Sequence, residues 1–225
     1  MKYDTEHDEH VSEMIGDGMA DTDGDVEAPV GWFAAVTLDD TEDSPDLAAL
    51  EHYGTPWLLA RENSQGFFTV IPFPTIEARN QAYAQLEQDY LLWDAGITEQ
   101  DIVAAIDGYR TCALWSTDVV DENGNAVRSF DQVNAGLTPS AQRQMRDDVV
   151  LFAVGNVDAI RSFLAVTGLD WGQVGHDFWL TRNRHGAGFW DRGAAGEAVE
   201  SLVQSSRDFG GCDLYLNDDG EIEVS

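Results

Sequence analysis

The sequence predicts an α+β protein: a small antiparallel sheet with one helix, followed by a larger unit of helices and β-hairpins. Three observations carry this. Short aromatic and β-branched runs separated by loop residues fill residues 29–71, segments with apolar residues three and four apart follow, and two strand-like runs close the chain around Asp219-Gly220. With 43% of its residues apolar and 10% aromatic, a chain of 225 residues suffices to bury a core.

Taken in order, residues 1–28 hold ten acidic residues and one lysine and read as an acidic flexible tail. Asp21-Thr-Asp23-Gly-Asp25 resembles the start of a calcium loop, but position twelve is Trp32 where a bidentate Glu is needed. A small α+β module is expected over 29–96. Its first strand is Gly31–Leu38, followed by an acidic insertion, Asp39–Tyr53, with a helical turn after Ser44-Pro45. Trp57–Arg61 and Gly66–Ile71 read as a hairpin, ended by Pro72 and Pro74. Thr75 then caps an amphipathic helix, Ile76–Trp93, whose stripe is Ile76, Tyr83, Leu86, Tyr90 and Trp93.

A second α+β domain is expected over 97–225. Thr98-Glu-Gln-Asp101 is a capping box opening a helix to Trp115, with Ile97, Ile102, Ile106, Tyr109 and Leu114 inward. A polar stretch turns at Asn123-Gly124, and Thr138-Pro-Ser140 starts a helix through Met145, Val149, Phe152, Val157, Ile160 and Phe163, interrupted at Gly155-Asn156. After Gly168 the pattern turns strand-like. His176–Thr181 and Gly188–Trp190 are expected to form a hairpin around Arg182–Gly186. Glu197–Phe209 reads as a helix stopped by Gly210-Gly211, and Asp213–Leu216 with Glu221–Val224 as a closing hairpin.

Charge is the dominant compositional fact. Against 42 acidic residues stand 12 basic ones, Lys2 being the sole lysine, for a net −30. Such a surface repels phosphate, so direct nucleic-acid or anionic-membrane binding is not expected. Three explanations stay open: a solvated or salt-adapted surface, a decoy presenting carboxylates where a partner expects phosphates, and divalent-cation binding. No apolar run approaches the roughly 18 to 20 residues of a membrane span. The first residues lack the regions of a signal peptide, and Cys112 and Cys212 are too few for a disulfide framework or zinc site. A reduced cytoplasmic setting without cofactor or metal is expected.

The densest chemistry lies in Gly175–Gly193, where two His, three Arg, two Asp and two Trp fall within GHDFWLTRNRHGAGFWDRG. His176-Asp-Phe-Trp-Leu-Thr-Arg-Asn183 and His185-Gly-Ala-Gly-Phe-Trp-Asp-Arg-Gly193 resemble a family of uncharacterised bacteriophage and mobile-element proteins. Supporting matches are Cys112-Ala-Leu-Trp-Ser116 and Asp213–Gly220, so the resemblance spans about residues 97–225. Arg184 departs from it, standing where the family usually has a small residue, commonly Gly. Gly54–Asn63 resembles, less specifically, a second small phage or plasmid module. The resemblance implies a gene of a phage or related element acting inside the infected host cell, and implies no reaction.

Three readings of the motif compete, one of them a partner-binding hot spot, where Trp and Arg are enriched. In an enzyme or ligand-binding reading, His176 and His185 with Asp177 and Asp191 supply a base, and Arg182 and Arg192 clamp an anion. The expected hairpin would put His176 and Asp177 on opposite faces, and no phosphate loop, nucleophile elbow or HExxH pattern is present. In the structural reading, Trp179 and Trp190 pack on the core, Asp177 and Asp191 pair with Arg182 and Arg192, and His185 fixes the loop, Asn183 being left without an assigned role. The preferred function is then a non-catalytic inhibitor of a host nucleic-acid-processing defence complex of CRISPR or restriction type. Carboxylates would enter the partner's basic groove, with Asp39, Asp40, Glu42, Asp43 and Asp46 as contacts and Asp147 and Asp148 as a second cluster.

Overall fold

The structure, a computed structural model, describes residues 21–28, 31–38, 50–51, 53–62, 68–120 and 125–225. It is α+β, with small antiparallel sheets interspersed among several helices. Two compact units divide the chain, Met1–Tyr90 and Leu91–Ser225.

In the first unit, β1 (Asp21–Ala28), β2 (Gly31–Thr37), β3 (Trp57–Glu62) and β4 (Phe68–Pro72) form an antiparallel meander. Strand β1 corrects the reading of 1–28 as tail throughout, because its last eight residues pair with β2 from Asp21↔Thr37 to Ala28↔Gly31. Backbone pairing is indifferent to the carboxylate content that suggested disorder. Ala34, Val36, Leu38, Leu58, Ala60 and Val70 make the core, with Leu50 and Tyr53 packed against it. Pro72 ends β4, and Thr75 Oγ1 accepts from the Ala78 N–H to cap α1 (Ile76–Asp94). Trp93, expected inward, is half exposed. The fully buried residue of the first turns is Arg79, which donates to the Val36 carbonyl and the Thr37 hydroxyl at the end of β2.

The second unit begins in the last turn of α1, where Leu92 joins its core. Helix α2 (Glu99–Ser116) has the expected capping box: Thr98 Oγ1 accepts from Asp101 N, and Thr98 N donates to the Asp101 carboxylate. A short hairpin follows, β5 (Asp118–Val120) and β6 (Ala126–Ser129); the expected Asn123-Gly124 turn lies outside the described residues. Thr138 caps α3 (Pro139–Gly155), and α4 (Val157–Thr167) leaves it at 84°. The break is held by Asn156, whose amide donates to the Phe152 carbonyl and the Ser205 hydroxyl. Helix α6 (Glu197–Asp208) and the hairpin β7 (Leu214–Leu216) with β8 (Ile222–Val224) complete the unit as expected.

The largest departure from the sequence reading is α5, Trp171–Arg182. The strand expected over 176–181 is a helix, and 189–191 is a single 3-10 turn, so the central motif holds no hairpin. Asp170 caps this helix by accepting from Gln173 N. Aromatic content suggested a strand, but Val174, Gly175 and Asp177 through Arg182 are all buried, so α5 lies at the centre and shows no polar face to reveal its period. Its glycines are packing surfaces. A Cβ on Gly175 would stand 1.8 Å from the Ala105 carbonyl oxygen, and one on Gly108 would stand 1.9 Å from that of Gly172. Helices α2 and α5 therefore meet backbone to backbone. Around this seam Phe178 stacks on Phe152 at 4.1 Å and Tyr109 meets Trp179 edge-on at 5.1 Å.

Candidate functional site

Because 176 and 177 are successive positions of a helix, His176 and Asp177 are neighbours and are not split across a sheet. The Asp177 side chain is fully buried, and Arg192 grips its carboxylate with two nitrogens, Nε at 2.9 and 3.0 Å and Nη2 at 2.5 Å. Gln173 donates to the same carboxylate at 2.9 Å and approaches His176 Nδ1 at 3.3 Å. His176 Nδ1 stands 3.6 Å from Asp177 Oδ1, beyond hydrogen-bond length, and its ring lies at 5.8 Å from that of the half-exposed Trp115. Burial works to raise the Asp177 carboxyl, but His176, Arg192 and Gln173 outweigh it and hold the group below the usual carboxylate range. The hydrogen bond to Asp177 in turn raises the Arg192 guanidinium. Of the pairing of Asp177 and Asp191 with Arg182 and Arg192 expected within the motif, the structure shows Asp177 with Arg192.

Arg182 has a different partner from those expected. It donates to Asp148 at 2.5 Å, to the Tyr109 hydroxyl at 2.6 Å and to the Gly210 and Phe209 carbonyls that end α6. Its guanidinium also faces the Phe178 and Phe209 rings. Burial opposes the charge, and Tyr109 and Asp148 overcome it, so Arg182 stays cationic above its ordinary value. This contact takes Asp148 out of the second acidic cluster: Asp147 and Asp148 are both only partly exposed, and Asp148 is spent on an internal pair. Asp39, Asp40, Glu42, Asp43 and Asp46 lie outside the described residues. Exposed acids elsewhere occur on α1, α2, α4, α6 and the closing hairpin.

The C-terminus of α5 builds the loop of the motif. Arg184 N donates to the Thr181 carbonyl and His185 N to that of Leu180, the paired bonds of a Schellman cap. Arg184 supplies the left-handed residue this cap requires, with φ of 57°. The tight turn that a small residue would favour is therefore kept with an arginine in its place. Asn183 donates to the Trp179 carbonyl and accepts from Cys212 N, tying the helix end to the approach of β7. Trp190, expected in the core, is 38% exposed, its ring lying over Gly188, where a Cβ would stand 2.9 Å away; Asp191 is exposed.

Beside this cap is a cavity of 410 Å³. Ser116 and Thr117 from the end of α2, Trp179 and Asn183 from α5, His185 from the cap, and Cys212 and Asp213 before β7 line it. The three segments singled out in the sequence converge here. The cavity's floor is satisfied: Trp179 Nε1 donates to Ser116 Oγ at 3.0 Å, which donates to the Cys112 carbonyl. Three groups at its rim keep hydrogen-bonding capacity among the described residues, namely the His185 ring, the Thr117 hydroxyl and Oδ2 of Asp213, whose Oδ1 accepts from Leu214 N. Burial pushes the Cys212 thiol up and raises Cys112 to about 12, so neither is an activated nucleophile. Sequence reasoning missed Tyr109, Gln173, Thr117 and Asp213; only Tyr109, on the α2 stripe, carried a local signal. Among the described residues no group of three or more His, Cys, Asp or Glu is placed to hold a metal ion, and no single helix is long and apolar enough to cross a membrane.

No protein-family model, curated protein or solved structure matches this chain.

Proposed function

We propose that this is a phage-encoded, non-catalytic inhibitor that binds the basic groove of a host nucleic-acid-processing defence complex and excludes nucleic acid from it. The observation that carries the reading is the charge, 42 acidic against 12 basic residues. Two of the motif's three arginines support it, since Arg182 and Arg192 are each bound to a carboxylate of the chain and are not arranged to clamp an anionic substrate. B-DNA carries one charge per about 1.7 Å of axis, so a groove that reads it is lined with Lys and Arg. A carboxylate-rich surface is steered to such a groove and competes there.

The test is capture of partners from host lysate on the tagged protein, at low salt and at about 1 M, where the Debye length falls to about 3 Å. A nuclease complex held at low salt and released at high salt is expected. Replacing Asp39, Asp40, Glu42, Asp43 and Asp46 by Lys should abolish its capture. Equal capture by the reversed variant, or retention unaffected by salt, overturns the reading. A second reading, a ligand-binding or catalytic site at 176–192, is supported by the cavity beside His185.

A further inference from the structure

We infer that the cavity beside the α5 cap is a receptor for a guanidinium group, and that it seats an arginine side chain of the basic partner. The inference rests on the reading above and makes its contact local. The cavity is set inside a protein of charge −30, so its field favours a cation over an anion or a neutral guest. The rim groups with capacity to spare include three acceptors, Asp213 Oδ2, the Thr117 hydroxyl oxygen and a ring nitrogen of His185; of these Asp213 is the one carboxylate, while Thr117 and His185 can each donate as well. Of the donors of the floor, Trp179 Nε1 is spent on Ser116 and one N–H of the Asn183 amide on the Trp179 carbonyl. A carboxylate with two further acceptors beside it can take a guanidinium, whose planar fork presents five N–H groups. Arg182, which bonds the Gly210 carbonyl next to the lining residue Gly211, is paired with Asp148. Arginine in a pocket ringed by weaker contacts is also the usual anchor of a protein interface.

The experiment titrates the full-length protein with N-acetyl-arginine amide, following the Trp179 indole N–H and the Gly211 and Cys212 amides by NMR. N-acetyl-citrulline amide, of the same shape without charge, and N-acetyl-lysine amide serve as comparison probes. Saturable shifts confined to these signals are expected for arginine, with binding about tenfold weaker for citrulline and for Asp213→Asn, the scale of one charge-assisted hydrogen bond. Asp213→Asn keeps Oδ1 for the Leu214 N–H, so its unfolding midpoint should match the parent's and show that the loss is local. Shifts that spread over the acidic surface without saturating, or are equal for arginine and lysine and unchanged in Asp213→Asn, overturn the inference. Partner capture is scored separately. A salt-sensitive complex unaffected by Asp213→Asn sinks this site and leaves the inhibitor reading, whereas arginine binding without a captured complex does the reverse.

Discussion

At the scale of single residues, the decisive group is Asp177. It is a fully buried carboxylate among His176, Arg192 and Gln173, and its charge is retained because those partners outweigh desolvation. A carboxyl held below its unfolded value contributes stability that is complete above about pH 4 and is lost as pH falls through the lowered folded value. Asp177→Asn should cost about 3 kcal/mol near pH 7, since it strands the Arg192 cation. Urea unfolding of both proteins from pH 7 to pH 3 checks this: the gap should narrow toward acid. A gap that is constant across that range would mean that the pair does not act through its charge. Arg184 makes a quieter point. A left-handed arginine is strained, and it persists because the cap bonds to Leu180 and Thr181 fix it.

At the scale of elements, the seam between α2 and α5 governs the second unit. Gly175→Ala would drive a methyl group to within 1.8 Å of the Ala105 carbonyl oxygen, and a backbone atom inside a packed helix cannot step aside. The variant should lose about 3 kcal/mol of unfolding free energy in denaturant titration. Gly155→Ala, where a Cβ meets nothing within 4 Å, should be neutral or gain up to about 1 kcal/mol and serves as the control. Most elements were legible because a local rule placed them: the Thr98 and Thr138 caps, the Asn156 break and the Asp-Gly turn of the closing hairpin. Helix α5 was not, because local pattern reports the contrast between a wet and a dry face. A helix buried on most sides has little contrast, and its glycines mimic turn signals. Asp170 as its cap was the one local sign available. The site suffered from the same error. With 176–181 drawn as a strand, His176 and Asp177 fell on opposite faces, and the convergence of Ser116, His185 and Asp213 on one cavity, which depends on three distant segments, had no trace in spacing.

At the scale of the whole molecule, charge and core divide their labour. Acids face water from several helices and the closing hairpin, while the described cations with buried guanidinium groups, Arg79 and Arg182, bind backbone carbonyls. Net charge of this size opposes compaction by self-repulsion, so the second unit depends on contacts that salt does not touch. The glycine seam is such a contact, and it implies a particular order of opening. Amide hydrogens of the buried residues Ala105, Ile106, Tyr109 and Cys112 of α2 and Val174, Gly175 and residues 177–182 of α5 belong to the two helices that meet at this seam, and parting the helices exposes the stacked rings around it. Their exchange with deuterium should therefore proceed only through global unfolding of residues 91–225, at one shared free energy, while α1 and the β5–β6 hairpin exchange through smaller openings. Measured as a function of low denaturant, those amides should converge on a single steep isotherm. Seen this way, two helices in backbone contact at their glycines form the last part of this unit to let go.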